Sequence, residues 1–149
     1  MLKYLILMML VVMPTVCNAS QPTKSDMYWL TQNIYQESRN QSLYGQFLVG
    51  FVTLERLDDG RWGNSIKEVV TSKKQFSWHN NKKIYHLPTD EKAWNSCKSV
   101  ALASVIVHEY IRGTGIIFYH DKKVNPKWNR SMYKMVVLGE HIFYREKGL

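Results

Sequence analysis

Apolar residues that recur at helical spacing early in the chain place the strongest constraint on the fold. One segment is apolar at positions i, i+3, i+4, i+7 and i+8, which are Tyr44, Phe47, Leu48, Phe51 and Val52. This spacing marks one face of an amphipathic helix. Ser42 suits the N-cap of that helix, and Asp58-Asp59-Gly60 suits its end. Since such a helix must bury its apolar face against other elements, we predict a largely helical core.

Shorter helices are predicted on both sides of this one. Ser25 is a candidate N-cap for a first helix, whose apolar positions are Met27, Leu30 and Ile34. Ser65 and Glu68 have the spacing of a capping box and predict a short third helix.

The longest predicted helix begins at Thr89 and ends at Gly113 and Gly115. Its expected buried stripe is Ala93, Cys97, Val100, Ala101, Ser104, Val105 and His108. We expect Cys97 to pack in the core, where a thiol is inert.

Strand signals follow near the end of the chain. The segment IIFYH after Gly115 is a strand candidate, and KMVV and HIFYR flank Leu138-Gly139-Glu140, which predicts a hairpin. Residues 73–86 mix polar and aromatic residues, and we predict an irregular loop with no helix there. The expected fold class is therefore α+β, a mainly helical domain with a small β-hairpin or sheet element.

The N-terminal segment predicts export. Lys3 precedes the uncharged run Tyr4–Met13, which is too short to cross a bilayer of about 30 Å as a helix. We interpret residues 1–19 as a signal peptide cleaved after Ala19. Two alternatives stay open, namely an uncleaved signal anchor with transient membrane association, and lipidation at Cys17.

The remaining chain divides into a short polar leader, residues 20–25, and one folded domain, residues 26–149. We expect a secreted or periplasmic protein, or a membrane-anchored one if the first segment is retained. Without the signal, Cys97 is a single cysteine, so packing must hold the domain together.

The charge of the chain is strongly positive, with a formal net charge of +8. A basic exported protein is attracted to polyanions such as wall polymers, anionic lipid or nucleic acid, although the charge can equally serve solubility alone. Export argues against nucleic acid. Basic residues that could approach wall polymers are Lys73, Lys74, Lys122 and Lys127.

Glu37 is the candidate catalytic residue, because it lies near the end of the first helix on its apolar side, one turn beyond Ile34. Burial there raises the pKa of a carboxyl group. A carboxylic acid that stays protonated near neutral pH can protonate the leaving oxygen of a sugar. The alternative is that Glu37 reaches solvent or pairs with Arg39 or Arg56.

Aromatic and amide side chains outside the helical stripes suit sugars, although they also suit single-stranded nucleic acid or simple core packing. They are Phe76, Trp78, Tyr85, Phe118, Tyr119 and Trp128, with Gln75, Asn80, Asn81, Asn125 and Asn129. The five histidines form no H-E-x-x-H motif, so we predict no metal site, although a zinc peptidase or amidase could still assemble its ligands from separate loops.

These pieces, taken in order, resemble the SleB-type cell wall hydrolase family over residues 28–145. The matching segments are Ile34-Tyr-Gln-Glu-Ser-Arg39, Tyr44-Gly-Gln46, Val52-Thr-Leu-Glu-Arg56, Gln75-Phe-Ser-Trp78, Ala93-Trp94, Phe118-Tyr-His120, Val124-Asn-Pro-Lys-Trp128 and Gly139-Glu-His-Ile-Phe-Tyr-Arg145. The resemblance implies a lysozyme-like catalytic domain that acts on peptidoglycan glycan strands without a metal or cofactor. It implies that Glu37 is the general acid. We expect a monomer.

The resemblance also implies two groups of substrate contacts. The first group would form the lip of the groove and comprises Gln75, Phe76, Ser77 and Trp78. The second group would contact sugar or stem peptide and comprises Tyr119, His120, Asn125 and Trp128.

Two departures from the family pattern affect the expected reaction. The second acidic position of the first motif is Gln41, and the asparagine of the Leu-Asn-Arg motif is Glu55. Two-carboxylate hydrolysis needs a second acid within about 5–10 Å of the first, and only Glu55 is a candidate for it. A single acid favours the lytic transglycosylase reaction over hydrolysis. The alternatives are a cell wall amidase or peptidase, and a non-catalytic peptidoglycan-binding protein.

Overall fold

The computed structural model of the protein describes residues 21–73, 75–80 and 88–148. Its helices are α1 (Lys24–Ser38), α2 (Leu43–Asp59), α3 (Ile66–Thr71), α4 (Ser77–Asn80) and α5 (Glu91–Tyr110). Its strands are β1 (Ile116–Asp121), β2 (Met132–Leu138) and β3 (His141–Glu146), and a short 3-10 helix over Lys127–Ser131 precedes β2. The α+β fold class is confirmed. The predicted signal segment lies outside the described residues.

Helix α1 runs through the centre of the helical part. Every residue from Leu30 to Tyr35 is buried, because α1 packs against α2, α3 and α5. Its N-cap is Thr23, whose hydroxyl accepts a hydrogen bond from the Asp26 N–H while the Asp26 carboxylate accepts from the Thr23 N–H. The prediction that Ser25 is the cap is wrong. This reciprocal pair satisfies two helix-end donors, so the helix begins two residues earlier.

Helix α2 is capped by Ser42 as predicted, and it ends at Gly60, which has a positive φ of 77°. Tyr44, however, is 76% exposed, so its place in the buried stripe is wrong. The first two residues of α2 are exposed, and burial begins with Gly45.

Close packing of three helices depends on Gly50 in α2. A Cβ atom at this position would lie 2.6 Å from Ser104 Oγ on α5 and 2.9 Å from Ile34 Cδ1 on α1. Both distances are shorter than van der Waals contact, so only glycine allows this approach. Helices α1, α2 and α5 thus meet closely at Gly50, beside Ile34 in the C-terminal half of α1.

Helix α4 corrects the prediction that residues 73–86 contain no helix. Ser77–Asn80 forms a single helical turn, while residue 74 and residues 81–87 lie outside the described part. Phe76 and Trp78 are 1% and 2% exposed. The indole N–H of Trp78 donates to Asn33 Oδ1 over 2.9 Å, so the core holds this turn in place.

Helix α5 buries the predicted stripe, with Ala93 and Val105 only partly covered. Asp90 caps the helix by accepting from the Ala93 N–H, so the helix begins at Glu91, two residues later than the predicted start at Thr89. Cys97 is fully buried, and burial raises the pKa of its thiol to about 11. This fits the expected packing role.

The predicted hairpin forms, and the three antiparallel strands have the order β1-β3-β2. Tyr119 on β1 pairs with Phe143 on β3, and His120 pairs with Ile142. Because successive side chains of a strand point to opposite faces, Tyr119 and His120 face opposite ways. Phe143 joins the hydrophobic core, so the face with Tyr119 is turned to the helices.

In the part of the chain that is described, no helix has the length and apolar character needed to span a membrane.

Candidate active site

The candidate site lies where the end of α1 meets β1. Glu37, in the last turn of α1, is partly exposed, and Tyr119 Oη donates a hydrogen bond to its Oε2 atom over 3.1 Å. No described residue donates to the other carboxyl oxygen, Oε1. Glu37 is therefore fixed on one side by the sheet, and its second oxygen has no donor among the described residues.

The environment of Glu37 favours its protonated form. Burial raises its pKa above the ordinary value of 4.5, and the hydrogen bond from Tyr119 and the charge of Arg56 only partly oppose this effect. Burial also raises the pKa of Tyr119 well above its ordinary range, and the charge of Glu37 adds to the effect. Tyr119 therefore remains a hydrogen-bond donor at neutral pH.

Arg56 is a buried cation beside this pair and is only 5% exposed. Its Nε donates to the carbonyl of Ile117 on β1 over 2.8 Å, and its guanidinium carbon lies 5.4 Å from the Trp62 ring centroid and 5.1 Å from that of Phe76. Its Nη1 atom is buried without a hydrogen-bond partner. Arg56 and Glu37 form no direct ion pair. The other suggested partner, Arg39, donates to the Tyr35 carbonyl instead.

Glu55, the candidate second acid, has a structural position in the fold. Its two oxygens accept four hydrogen bonds from α5 and the following loop, whose donors are His108 Nε2 at 3.0 Å, the Gly113 N–H at 3.1 Å, Thr114 Oγ1 at 2.9 Å and the Gly115 N–H at 2.8 Å. Burial would raise the pKa of Glu55, but these hydrogen bonds outweigh it and hold the pKa below 4.5. Glu55 thus fastens the α5–β1 loop to α2.

The residues predicted to form the lip of the groove fall into two groups, one exposed and one buried. Ser77 is exposed and Gln75 is partly exposed, so both can meet a ligand. Phe76 and Trp78 belong to the hydrophobic core, and a sugar cannot stack on their rings in this structure. Their aromatic character, which suggested sugar binding, serves packing behind the site.

The second predicted group of contacts is also divided. Tyr119 reaches Glu37, whereas His120 and Trp128 lie on the opposite face of the sheet. His120 is 8% exposed, with Nδ1 2.8 Å from the Asp121 carbonyl and Nε2 2.9 Å from Tyr144 Oη. Trp128 packs edge-on against Tyr144 with centroids 5.4 Å apart. Asn125 is exposed and accepts from Asn129 Nδ2, so its side chain holds the loop before β2.

Two glutamines hold the turn that follows Glu37. Gln46 Nε2 donates to the carbonyls of Arg39 and Gln41, and Gln41 Oε1 accepts from the Glu140 N–H over 3.0 Å. The residue at the second acidic position of the motif thus joins the α1–α2 turn to the β2–β3 turn. This connection positions the end of α1 against the sheet.

From the sequence, Arg56 was expected only as a possible ion-pair partner of Glu37, and His141 only as part of a matching motif. His141 is 7% exposed and packs edge-on against Tyr119 with centroids 5.1 Å apart, and burial lowers its pKa. The signal for Arg56 was available, because it follows Val52 by four residues on the buried face of α2. The described residues include no cluster of three or more side chains suited to hold a metal ion.

Fold and site together are those of an α+β domain that presents a carboxyl with a raised pKa at the junction of a helix and a sheet. A family model described as Cell Wall Hydrolase matches residues 40–144, and the chain belongs to this family. Peptidoglycan is the substrate consistent with that membership. The match begins after Glu37, so it does not itself cover the candidate acid.

Solved structures support the fold independently. The catalytic domain of Bacillus cereus SleB is 22% identical, with a TM-score of 0.69 over 85% of this chain and 94% of that one. The catalytic domain of the germination-specific lytic transglycosylase SleB from Bacillus anthracis is 22% identical, with a TM-score of 0.68 over 85% of this chain and 98% of that one. No curated protein matches the sequence significantly.

Proposed function

We propose that the protein is an exported enzyme that cleaves the glycosidic bonds of peptidoglycan glycan strands, with Glu37 as general acid. One observation carries the proposal: a partly exposed carboxyl with a raised pKa is held by Tyr119, and its second oxygen accepts no hydrogen bond from the described residues. Family membership supports the substrate class. The predicted signal at residues 1–19 supports export.

The reaction begins with proton transfer from Glu37 to the oxygen that bridges two sugars. The bond between that oxygen and the anomeric carbon breaks, the electron pair stays with the leaving oxygen, and the sugar becomes oxocarbenium-like. The Glu37 carboxylate then removes a proton from the hydroxyl that attacks the anomeric carbon, which restores the acid.

The attacking hydroxyl distinguishes hydrolysis from transglycosylation. Among the described residues, none of the groups that act on Glu37 is a carboxylate, and Glu55 is occupied by the α5–β1 loop. A water molecule therefore lacks the usual second base. This favours attack by the 6-hydroxyl of the same sugar, which produces an anhydro end. The Bacillus anthracis relative, described as a lytic transglycosylase, supports the same choice.

Digestion of purified sacculi tests the proposal, with mass spectrometry of the soluble products. We expect shortened glycans with intact stem peptides and anhydro ends. Release of stem peptides would identify an amidase or peptidase, and reducing ends alone would exclude transglycosylation.

A substitution identifies the acid. Glu37→Gln should reduce the rate by about 10²–10⁴-fold, the usual contribution of a general acid. Glu109→Gln, at an exposed glutamate of α5, is the matched control and should keep full activity. Binding of Glu37→Gln to sacculi separates a lost reaction from lost recognition. If Glu37→Gln clears sacculi like the wild type, the assignment of the acid is wrong.

A further inference from the structure

We propose that Arg56 is a positioning residue that stabilises the Glu37 carboxylate between the two proton transfers, so that a single carboxyl acts first as acid and then as base. This inference rests on the proposed function.

The first observation concerns the contacts that hold the guanidinium of Arg56 in place. Its Nε donates to the Ile117 carbonyl, and its carbon lies near the rings of Trp62 and Phe76. These contacts fix a cation in a buried place, where charge is costly without a partner. Nevertheless, Nη1 makes no hydrogen bond. A buried arginine kept only for packing would be expected to use that donor.

The second observation is the separation between the cation and the acid. The Arg56 charge acts on Glu37 and favours its ionised form, but the two side chains make no direct ion pair. A direct pair would hold Glu37 ionised at neutral pH and leave no proton to donate. A cation that forms no ion pair with Glu37 opposes the effect of burial on the pKa of the acid only in part, and it still stabilises the negative charge once the proton has left.

No other described group serves this purpose. On α1, Arg39 donates to the Tyr35 carbonyl, and on α2, Glu55 faces the α5–β1 loop. On β1, Tyr119 contributes a neutral hydrogen bond to Glu37, and on β3, His141 lies behind the Tyr119 ring. Arg56 is therefore the cation in a position to balance the charge that forms on Glu37.

The proton and the charge balance across the cycle. The first transfer moves one proton from Glu37 to the leaving oxygen and creates the carboxylate beside Arg56. The second transfer returns one proton from the attacking hydroxyl to that carboxylate. Arg56 keeps its own protons throughout.

Arg56→Gln tests the inference, because the amide nitrogen of glutamine can take the place of Nε and still donate to the Ile117 carbonyl. Without the cation, Glu37 should bind its proton more tightly. We therefore expect the pH at which kcat/KM falls on the alkaline side to move higher, and kcat to decrease about tenfold or more. Arg56→Lys keeps the charge and should return the alkaline limb towards its wild-type position.

Arg61 provides the matched control. It lies over the same Trp62 ring at 4.8 Å, but it pairs with Asp59 and Glu146 at the surface. Arg61→Gln should leave the pH profile on purified glycan strands unchanged.

The inference is wrong if folded Arg56→Gln keeps the wild-type pH profile, or if Arg56→Lys shifts the profile as far as Arg56→Gln does. Should Arg56→Gln fail to fold, Arg56→Met gives the same comparison with Arg56→Lys. An active Glu37→Gln variant would instead overturn the proposed function itself, so the two failures are distinguishable.

Discussion

Tyr119 on the first strand donates a hydrogen bond over 3.1 Å to Glu37, which precedes it by 82 residues in the chain. This contact joins the sheet to the central helix at a carboxyl whose pKa burial raises above its ordinary value. The residues around Glu37 determine the pH range in which its carboxyl is protonated. Their positions lead to the measurable consequences below.

Replacing Glu37 should stabilise the folded protein at neutral pH. The pKa of Glu37 is higher in the folded state than the ordinary 4.5, so ionisation costs stability as the pH rises from about 4.5 through the folded-state pKa. Glu37→Gln keeps an acceptor for Tyr119 and removes this cost. Urea unfolding should show the variant gaining stability over the wild type across that range. An advantage that disappears with rising pH would contradict the prediction.

Replacing Tyr119 should change the acid without removing it. Its hydrogen bond lowers the pKa of Glu37, so Tyr119→Phe should move the alkaline limb of kcat/KM to higher pH. The loss of a bond to a charged intermediate should also reduce kcat by about tenfold. Tyr133→Phe, at an exposed tyrosine of β2, is the control. If Tyr119→Phe and Tyr133→Phe had the same pH profile of kcat/KM, Tyr119 would have no part in the reaction.

Replacing Glu55 should destabilise the fold. In Glu55→Gln, an amide group faces donors that the carboxylate now accepts, which should cost about 1–3 kcal/mol of unfolding free energy. The pKa of Glu55 lies below 4.5, so its stabilisation is present above pH 4.5 and is lost as the pH falls through the folded-state pKa. The deficit of the variant should therefore shrink in acid. Chemical denaturation from pH 7 downward measures this, and normal stability at pH 7 would refute it.

Replacing Gly139 should damage the turn between β2 and β3. Its φ is +56°, and an added Cβ would collide with the Gln41 side chain that joins this turn to the end of α1. Gly139→Ala should cost about 1–3 kcal/mol of stability. Gly60→Ala is the control, because Gly60 also has a positive φ but nothing within 4 Å of its Cβ position. Equal losses of stability in Gly139→Ala and Gly60→Ala would mean that the collision with Gln41 contributes nothing.

Local signals in the sequence predicted most elements but not all of their ends. Ser42 and Ser65 cap their helices as expected, because an N-cap depends only on backbone groups two or three residues away. The prediction that Ser25 is the N-cap of α1 was wrong because Thr23 and Asp26 form a reciprocal capping pair close by in the chain. The prediction that Tyr44 is buried was wrong because periodicity marks one face of a helix. It does not indicate how far the neighbouring helices extend along that face.

The residues of the site were harder to predict from the sequence than the ends of the helices, and tertiary packing is again the reason. Aromatic residues suit both a sugar surface and a protein core, and the same argument from composition covered Trp78 and Tyr119. Packing placed Trp78 against Asn33 and Tyr119 against Glu37. Likewise, no local pattern could distinguish a catalytic Glu55 from one that fastens a loop.

The sequence by itself determined where the helices and strands other than α4 form, and that Glu37 lies near the end of a helix on its apolar side, since these properties depend on the spacing of neighbouring residues. Only the tertiary structure decided which distant groups surround that carboxyl. Tyr119 contacts Glu37 and Arg56 is held nearby because β1 packs on α2, and such contacts depend on the complete set of buried faces and their volumes.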